Sequence, residues 1–252
     1  MVFGGSASMT RNPSRIYKYH VANLRELELA IGHTGRLARS EIASKDPQKS
    51  LQSLLRLYAF LIGAWAETRL NKLLHEEFGF NDQLRELIKA KSSQLEQWHE
   101  AVDQAFRKHH NVPNAQLNDR TLGVSHAARR TALQDVLSND LKIIIEIRNK
   151  LAHGQWVYPF NNGGTLIEHG KFQLINQENI LSLQFKFALV AHLADAVHDL
   201  VVSPTTFERD FDDHFRCLNQ ARINLEKRSY PKYEAGLIKS REMARIARVS
   251  NQ

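Results

Sequence analysis

Between residues 51 and 78 the chain carries two apolar lines side by side on one helix. Leu54, Tyr58, Leu61 and Trp65 make the first line, and Leu55, Ile62 and Ala66 make the second. Two adjacent lines form a face too broad for a single neighbour to cover, so this segment has to be a central core helix with several others packed around it. Gly79 ends it. The flanking segments supply the candidates. Residues 14–44 place Leu24, Leu27, Ile31 and Ala38 at helical spacing. Residues 81–109 do the same with Leu84, Leu87, Ile88, Leu95, Trp98, Val102 and Phe106, up to the stop at Asn111-Val112-Pro113-Asn114. A polar loop runs to about Ser125. The stretch 126–153 is helical again, as one helix or as two broken near Ser138-Asn139-Asp140, where Asp140 is a good cap. Residues 179–202 turn Phe185, Leu189, Leu193, Ala196 and Leu200 inward, and 206–228 and 235–249 continue as helices.

Long helices joined by short connections predict an all-α antiparallel bundle. The period changes only after Gly154. There Trp156-Val157-Tyr158 and Leu166-Ile167 flank Asn161-Asn162-Gly163-Gly164, and 171–175 follows a second turn at His169-Gly170. This predicts a small β-hairpin or loop insertion. Asp46 is expected to cap a helix starting at Pro47. The expected organisation is a flexible tail over 1–14, a helical extension over 15–45, the bundle over 46–202 and a basic helical extension over 203–252.

The chain has 252 residues, a net charge of +7 and a single cysteine, Cys217. The basic balance favours a polyanionic partner, nucleic acid first. One cysteine excludes an internal disulfide framework and a thiolate zinc site within the chain. Cys217 itself is expected to be core-facing or inert. No apolar signal region opens the sequence, and the stretch 54–66 is too short and too charged at its ends to span a bilayer. A soluble cytoplasmic protein with no membrane partner is the expectation. No Gly-rich phosphate loop is present, and no cofactor is expected.

The chemistry concentrates in residues 140–154, DLKIIIEIRNKLAHG. Leu137, Leu141, Ile144 and Arg148 share one line, and Ile145, Asn149 and His153 a neighbouring one. A guanidinium grips phosphate bidentately and an imidazole moves protons near neutral pH. These two groups suffice for metal-independent RNA cleavage. Spacing alone does not select them, since Arg followed five positions later by His occurs three times: Arg15–His20, Arg148–His153 and Arg209–His214. Arg15 lies at the edge of the tail, and Arg209 precedes Asp210, Asp212 and Asp213, which repel RNA. Only Arg148 follows a buried helical run, has the uncharged Asn149 beside it and leads to a His stopped by Gly154. The bland alternative is that Arg148 and His153 simply solvate a helix end whose dipole favours cations.

The run IRNKLAHG resembles the Arg-polar-x-x-x-His signature of the HEPN family ("higher eukaryotes and prokaryotes nucleotide-binding"), with Arg148, Asn149 and His153 on its three positions. The preceding LLRLYAFLIGAWAETRLNKLLHE is similar to the second core helix of several HEPN subfamilies. The resemblance spans roughly residues 50–202. It implies a helical bundle, commonly a homodimer, in which motif helices from two copies build one site. It further implies a metal-independent endoribonuclease leaving 2′,3′-cyclic phosphate or 3′-phosphate and 5′-hydroxyl ends. In prokaryotes such a protein serves as a toxin or in phage defence, with an antitoxin or other regulatory partner. The alternative within the same family is a catalytically silent module that binds a nucleotide or RNA, or dimerises. Two imidazoles related by a twofold axis also meet a chemical need, since one ring cannot easily be acid and base at once. Leu141 and Ile144 are the candidate interface residues, with ordinary core as their alternative.

Several residues are candidates for lesser roles. Glu67 can orient Arg148 or a neighbouring cation, or simply form a surface ion pair near Arg69, and Lys150 can support the site from within the motif. Trp156 and Tyr158 can stack on bases, or simply pack the insertion on the bundle. Arg241 and Arg245, in a basic C-terminal stretch that also includes Arg222, can hold RNA phosphates or form a solvated tail. His192, Asp195 and Asp199 can share a helix face, as can Asp210, Asp212 and Asp213 with His214. Both sets are expected to be solvated polar faces, and no metal is assigned.

Overall fold

In the computed structural model, which describes residues 14–42 and 48–250, the most heavily buried helix is not the one the sequence singles out. It is α9 (Ile180–Val202), where Leu183, Leu189, Val190, Leu193, Ala194, Val197, Leu200 and Val201 are all buried. By length and apolarity (mean hydropathy 1.4) this helix is able to cross a membrane, and half of it is buried among its neighbours here.

The helix α2 (Gln48–Leu74) lies against α9 and carries both predicted lines inward, with Tyr58, Leu61, Trp65, Leu55, Ile62 and Ala66 buried. Around this pair pack α1 (Arg15–Glu41) on α2, α10 (Pro204–Lys227) on α9, and α4 (Gln94–His110) on α9. Leu24, Ile31 and Ala38 of α1, and Phe207, Phe211 and Leu218 of α10, belong to the same hydrophobic cluster as the central helices. Among the described residues the fold is all-α, without a β-strand. The proposed cap at Asp46, the start at Pro47 and residues 1–13 of the tail lie outside the described residues.

Two local expectations are corrected, and two that left alternatives open are decided. Residues 81–109 form two helices, α3 (Asp82–Lys89) and α4, because Ser93 caps α4 by accepting from Glu96 N at 3.2 Å; Leu87 is consequently 42% exposed. The polar loop before Ser125 contains the short α5 (Asp119–Leu122), stopped at Gly123. Beyond it, α6 (Val124–Val136) and α7 (Lys142–Ala152) run on through a π-helical turn, Leu137–Leu141, rather than breaking. Asp140 is therefore no cap. It pairs with Arg222 of α10, which also donates to Asp135 at 3.0 Å, so Arg222 is committed to the fold. Finally, residues 171–175 lie in α8 (His169–Gln177), and the β-hairpin is reduced to a loop carrying one antiparallel bridge, Phe160–Ile167. The last helix is α11 (Tyr230–Ser250).

Acid sensitivity follows from the junction of α1, α2 and α3. His75 stacks on His20 with ring centroids 5.2 Å apart and lies 3.2 Å from Arg85 Nη1 through Nδ1. An arginine can only donate, so Nδ1 accepts and the ring is neutral. Burial, then the charges of Lys89 and Arg85, push His75 down to about 4. Next to it, burial alone would raise Glu76, but hydrogen bonds from His198 and Lys72 and their charges hold it at about 2. Between pH 6.5 and 4 the unfolded chain binds a proton at position 75 that the folded chain refuses. Between about 4.5 and 2 it does so at Glu76. Stability therefore falls as pH falls through both windows. Melting temperature measured from pH 7 to 3 is expected to drop steadily, and His75→Gln to reduce the slope between 6.5 and 4. An unchanged slope in that variant would remove His75 from the account.

Candidate functional site

Helix α7 is fixed by its apolar side. Ile144, Ile145, Ile147 and Leu151 are buried, and Leu141 in the π-helical turn is fully so. Leu141 and Ile144 therefore face this chain's own core and are not free to form an interface between copies. At Gly63 of α2 the two helices touch: a Cβ there would lie 2.4 Å from Arg148 Cβ and 3.3 Å from the Ile144 carbonyl oxygen. Glycine is required at this crossing because the stem of Arg148 lies directly on the backbone of α2.

That contact aims Arg148 along α2. Its guanidinium pairs with Glu67, four residues on from Gly63, and its Nη1 donates to Asn149 Oδ1 at 2.9 Å. Burial pulls the guanidinium below its ordinary value, although an arginine stays cationic at neutral pH. Glu67 thus stands beside Arg148, while Arg69 pairs with Asp195 instead.

His153 occupies the C-cap of α7, with φ −87° and ψ 17°. Its backbone N–H donates to the Asn149 carbonyl, and Gly154 at φ 74° closes the helix by donating to the Leu151 carbonyl at 3.1 Å. A positive φ at this C′ position is what glycine supplies. The His153 ring is exposed and has no partner among the described residues.

After Gly154 the chain folds back over the end of α7. Lys150 Nζ donates to the Phe160 carbonyl and to Glu168 Oε1 at 3.2 Å. Trp156 Nε1 donates to the Leu151 carbonyl at 3.0 Å. Asn161 Oδ1 accepts from Thr165 N at 3.0 Å, and Gln155 Oε1 from Phe160 N at 2.8 Å. The loop is thereby pinned to the helix end, leaving a polar cleft of about 640 Å³ lined by Glu146, Asn149, Lys150, His153, Gln155, Asn161, Asn162 and Lys171. Asn149 and His153 open into it. Arg148 does not: five residues at about 100° each put it about 140° around the helix from His153. One chain thus brings Asn149 and His153 together and holds Arg148 to the side, joined through Asn149.

The remaining candidates separate. Lys150 and Trp156 hold the loop. Tyr158 is exposed and stacks on Phe172 with centroids 5.8 Å apart. Arg241 donates to the Ser40 carbonyl at the end of α1, and Arg245 is exposed on α11; neither lines the cleft. Asp195 pairs with Arg69 at 3.0 Å, and Asp199 accepts from His214 at 3.1 Å. Asp210 pairs with Arg209 and Asp213 with Arg216, each at 2.6 Å. Cys217 is exposed rather than core-facing. The sequence reading missed a different group, His109, His110 and His126, which converge where α4 meets α6. Its one sequence signal is the adjacent pair His109-His110, and nothing local links that pair to a third His across a loop.

The chain matches no family model, and no curated protein or solved structure is similar enough to stand as a relative.

Proposed function

We propose that this chain is a metal-independent RNA endonuclease of HEPN type. The observation that carries the reading is His153, an exposed imidazole without a partner among the described residues, at a helix end that opens into a polar cleft. Asn149 sits one turn back on the same side, with its Oδ1 engaged by Arg148 and its amide N–H groups left to donate. In the proposed reaction His153 takes the proton of an RNA 2′-hydroxyl. The 2′-oxygen attacks the adjacent phosphorus, and the 5′-oxygen leaves with a proton from a second imidazole. A guanidinium offsets the charge of the pentacoordinate phosphorus. Because Arg148 and His153 point apart within one chain, the second imidazole and a guanidinium would come from a second copy. The solvent-facing line of Lys142, Glu146, Asn149 and His153, rather than Leu141 and Ile144, is where that copy would dock. The biological role implied is a toxin or phage-defence effector, with an antitoxin-like partner restraining it.

One observation favours a second reading. Arg148 is already neutralised by Glu67, so RNA phosphate has to displace a carboxylate to reach it. A silent HEPN module that binds RNA or a nucleotide, or dimerises, needs no such exchange. The two readings part on one experiment: purified chain and single-stranded RNA in excess EDTA, with product ends identified. The nuclease reading expects cleavage leaving 2′,3′-cyclic phosphate and 5′-hydroxyl ends. It is lost if the RNA stays intact while still binding.

A further inference from the structure

His109 and His110 occupy the last turn of α4, and His126 the first turn of α6. Their ring centroids lie 4.8, 5.2 and 4.6 Å apart, and each ring offers a nitrogen within 4.8 Å of the others. Around a tetrahedral zinc ion, with metal–nitrogen bonds of about 2.0–2.1 Å, three imidazole centroids fall about 5 Å apart and the ligating nitrogens about 3.3 Å apart. The ring centroids are already at the spacing of such a site, and the nitrogens, within 4.8 Å of one another, have to close to about 3.3 Å by turning of the rings.

The surroundings supply a fourth oxygen. Glu208, at the start of α10, directs Oε1 toward His126 and, at 3.5 Å, toward His109 Nε2; Arg129 holds its other oxygen at 2.6 Å. A carboxylate fixed through one oxygen by arginine presents the other in a set direction, the kind of outer support metal ligands have. His110 Nε2 is buried without a hydrogen-bond partner, an arrangement that is unfavourable unless something engages that nitrogen. Rigid elements hold the group together. Asn111, at φ 54°, turns the chain out of α4, and Asn118 caps α5 by accepting from Arg120 and Thr121.

We propose that His109, His110 and His126, with Glu208, form a binding site for a divalent first-row ion of the zinc type, clamping α4, α6 and α10 together. The donor set of three imidazoles and a carboxylate suits zinc, whereas calcium and magnesium prefer oxygen alone. The site is distinct from the polar cleft. His126 and His153 sit toward opposite ends of one nearly continuous helical rod, about 40 Å apart at 1.5 Å per residue. It does not depend on the nuclease reading, and either can fail without the other.

The test is a cobalt(II) titration of the EDTA-stripped full chain, followed by visible absorption and by melting temperature. The expected result is saturation at one equivalent with the intense absorption of a tetrahedral site, displacement by zinc, and a higher melting temperature with either metal. His110→Ala and His126→Ala are each expected to weaken binding at least tenfold, and His169→Ala, on α8, to leave it unchanged. No saturable binding by the wild type, or equal affinity in His126→Ala, overturns the proposal. Should a histidine variant fail to fold, Glu208→Gln takes its place. Its expected result is a several-fold weaker affinity, and unaltered affinity together with a weak six-coordinate spectrum of the wild type overturns the assignment.

Discussion

A Gly63→Ala chain is expected to melt several degrees below the wild type, the opposite of what this change does on an exposed helix. Alanine is the better helix former by about 1 kcal/mol, so in isolation the substitution would stabilise α2. Here the new methyl would sit 2.4 Å from Arg148 Cβ, 2.8 Å from its Cγ and 3.3 Å from the Ile144 carbonyl oxygen. Two of these atoms are close to the backbone or part of it, so no flexible side-chain end can swing away. The helices α2 and α7 have to separate. Overpacking in a filled core costs about 1–3 kcal/mol, which exceeds the propensity gain. At roughly 2–4 °C per kcal/mol for a chain of this size, the net loss is a few degrees. Gly63→Val is expected to do more damage, because its branched side chain adds volume and gives up part of the propensity gain. Because Arg148 rides on this contact, either variant is expected to disturb the Arg148–Glu67 pair as well. A higher melting temperature for Gly63→Ala in thermal denaturation would show that the crossing has slack.

What the sequence made legible follows from where periodicity is strong. The twin lines of α2 and the stripe of α1 were visible because a face bounded by polar residues repeats over several turns; Leu24, Ile31 and Ala38 are buried as expected. Short segments carry too few repeats. Over 171–175 a period of two and a period of 3.6 are nearly indistinguishable, so a helix passed for a strand. The pause between α3 and α4 was hidden because Leu84, Leu87 and Ile88 stay in phase with Leu95 and Trp98 across it. Leu141 and Ile144 could not be assigned to core or interface by pattern, since both demand an apolar face; the partner decides, and Gly63 of α2 lies against the Ile144 turn. The candidate site divides in the same way. The end of α7 at Gly154, with His153 beside it, was local information. The direction of Arg148 was set by a helix nearly ninety residues away, and the histidine cluster by a loop that returns on itself. Glu67 is a sequence candidate because it lies on the same helix as the apolar lines, and α7 brings Arg148 to it.

On the nuclease reading proposed above, substituting His153 by alanine is expected to lower RNA cleavage by a factor of about 10²–10⁴, the usual contribution of a positioned general acid or base. The melting temperature should stay unchanged. His153 is exposed, its ring has no partner among the described residues, and Gly154 supplies the helix stop through its own backbone. Substitutions at such positions usually change stability by less than about 0.5 kcal/mol. This separates His153 from Arg148. Arg148→Ala removes a stem packed on Gly63 and leaves Glu67 without its cation, so it is expected to lose both cleavage and stability. A loss of cleavage at Arg148 alone would therefore carry little weight, because a loosened α2–α7 contact produces the same result. The decisive measurement is single-turnover cleavage by His153→Ala beside its melting curve. Lost cleavage with an unmoved curve places the imidazole at the reacting phosphate. Wild-type cleavage by the variant would remove the nuclease site from this helix end, and would leave His153 as no more than a solvated cap.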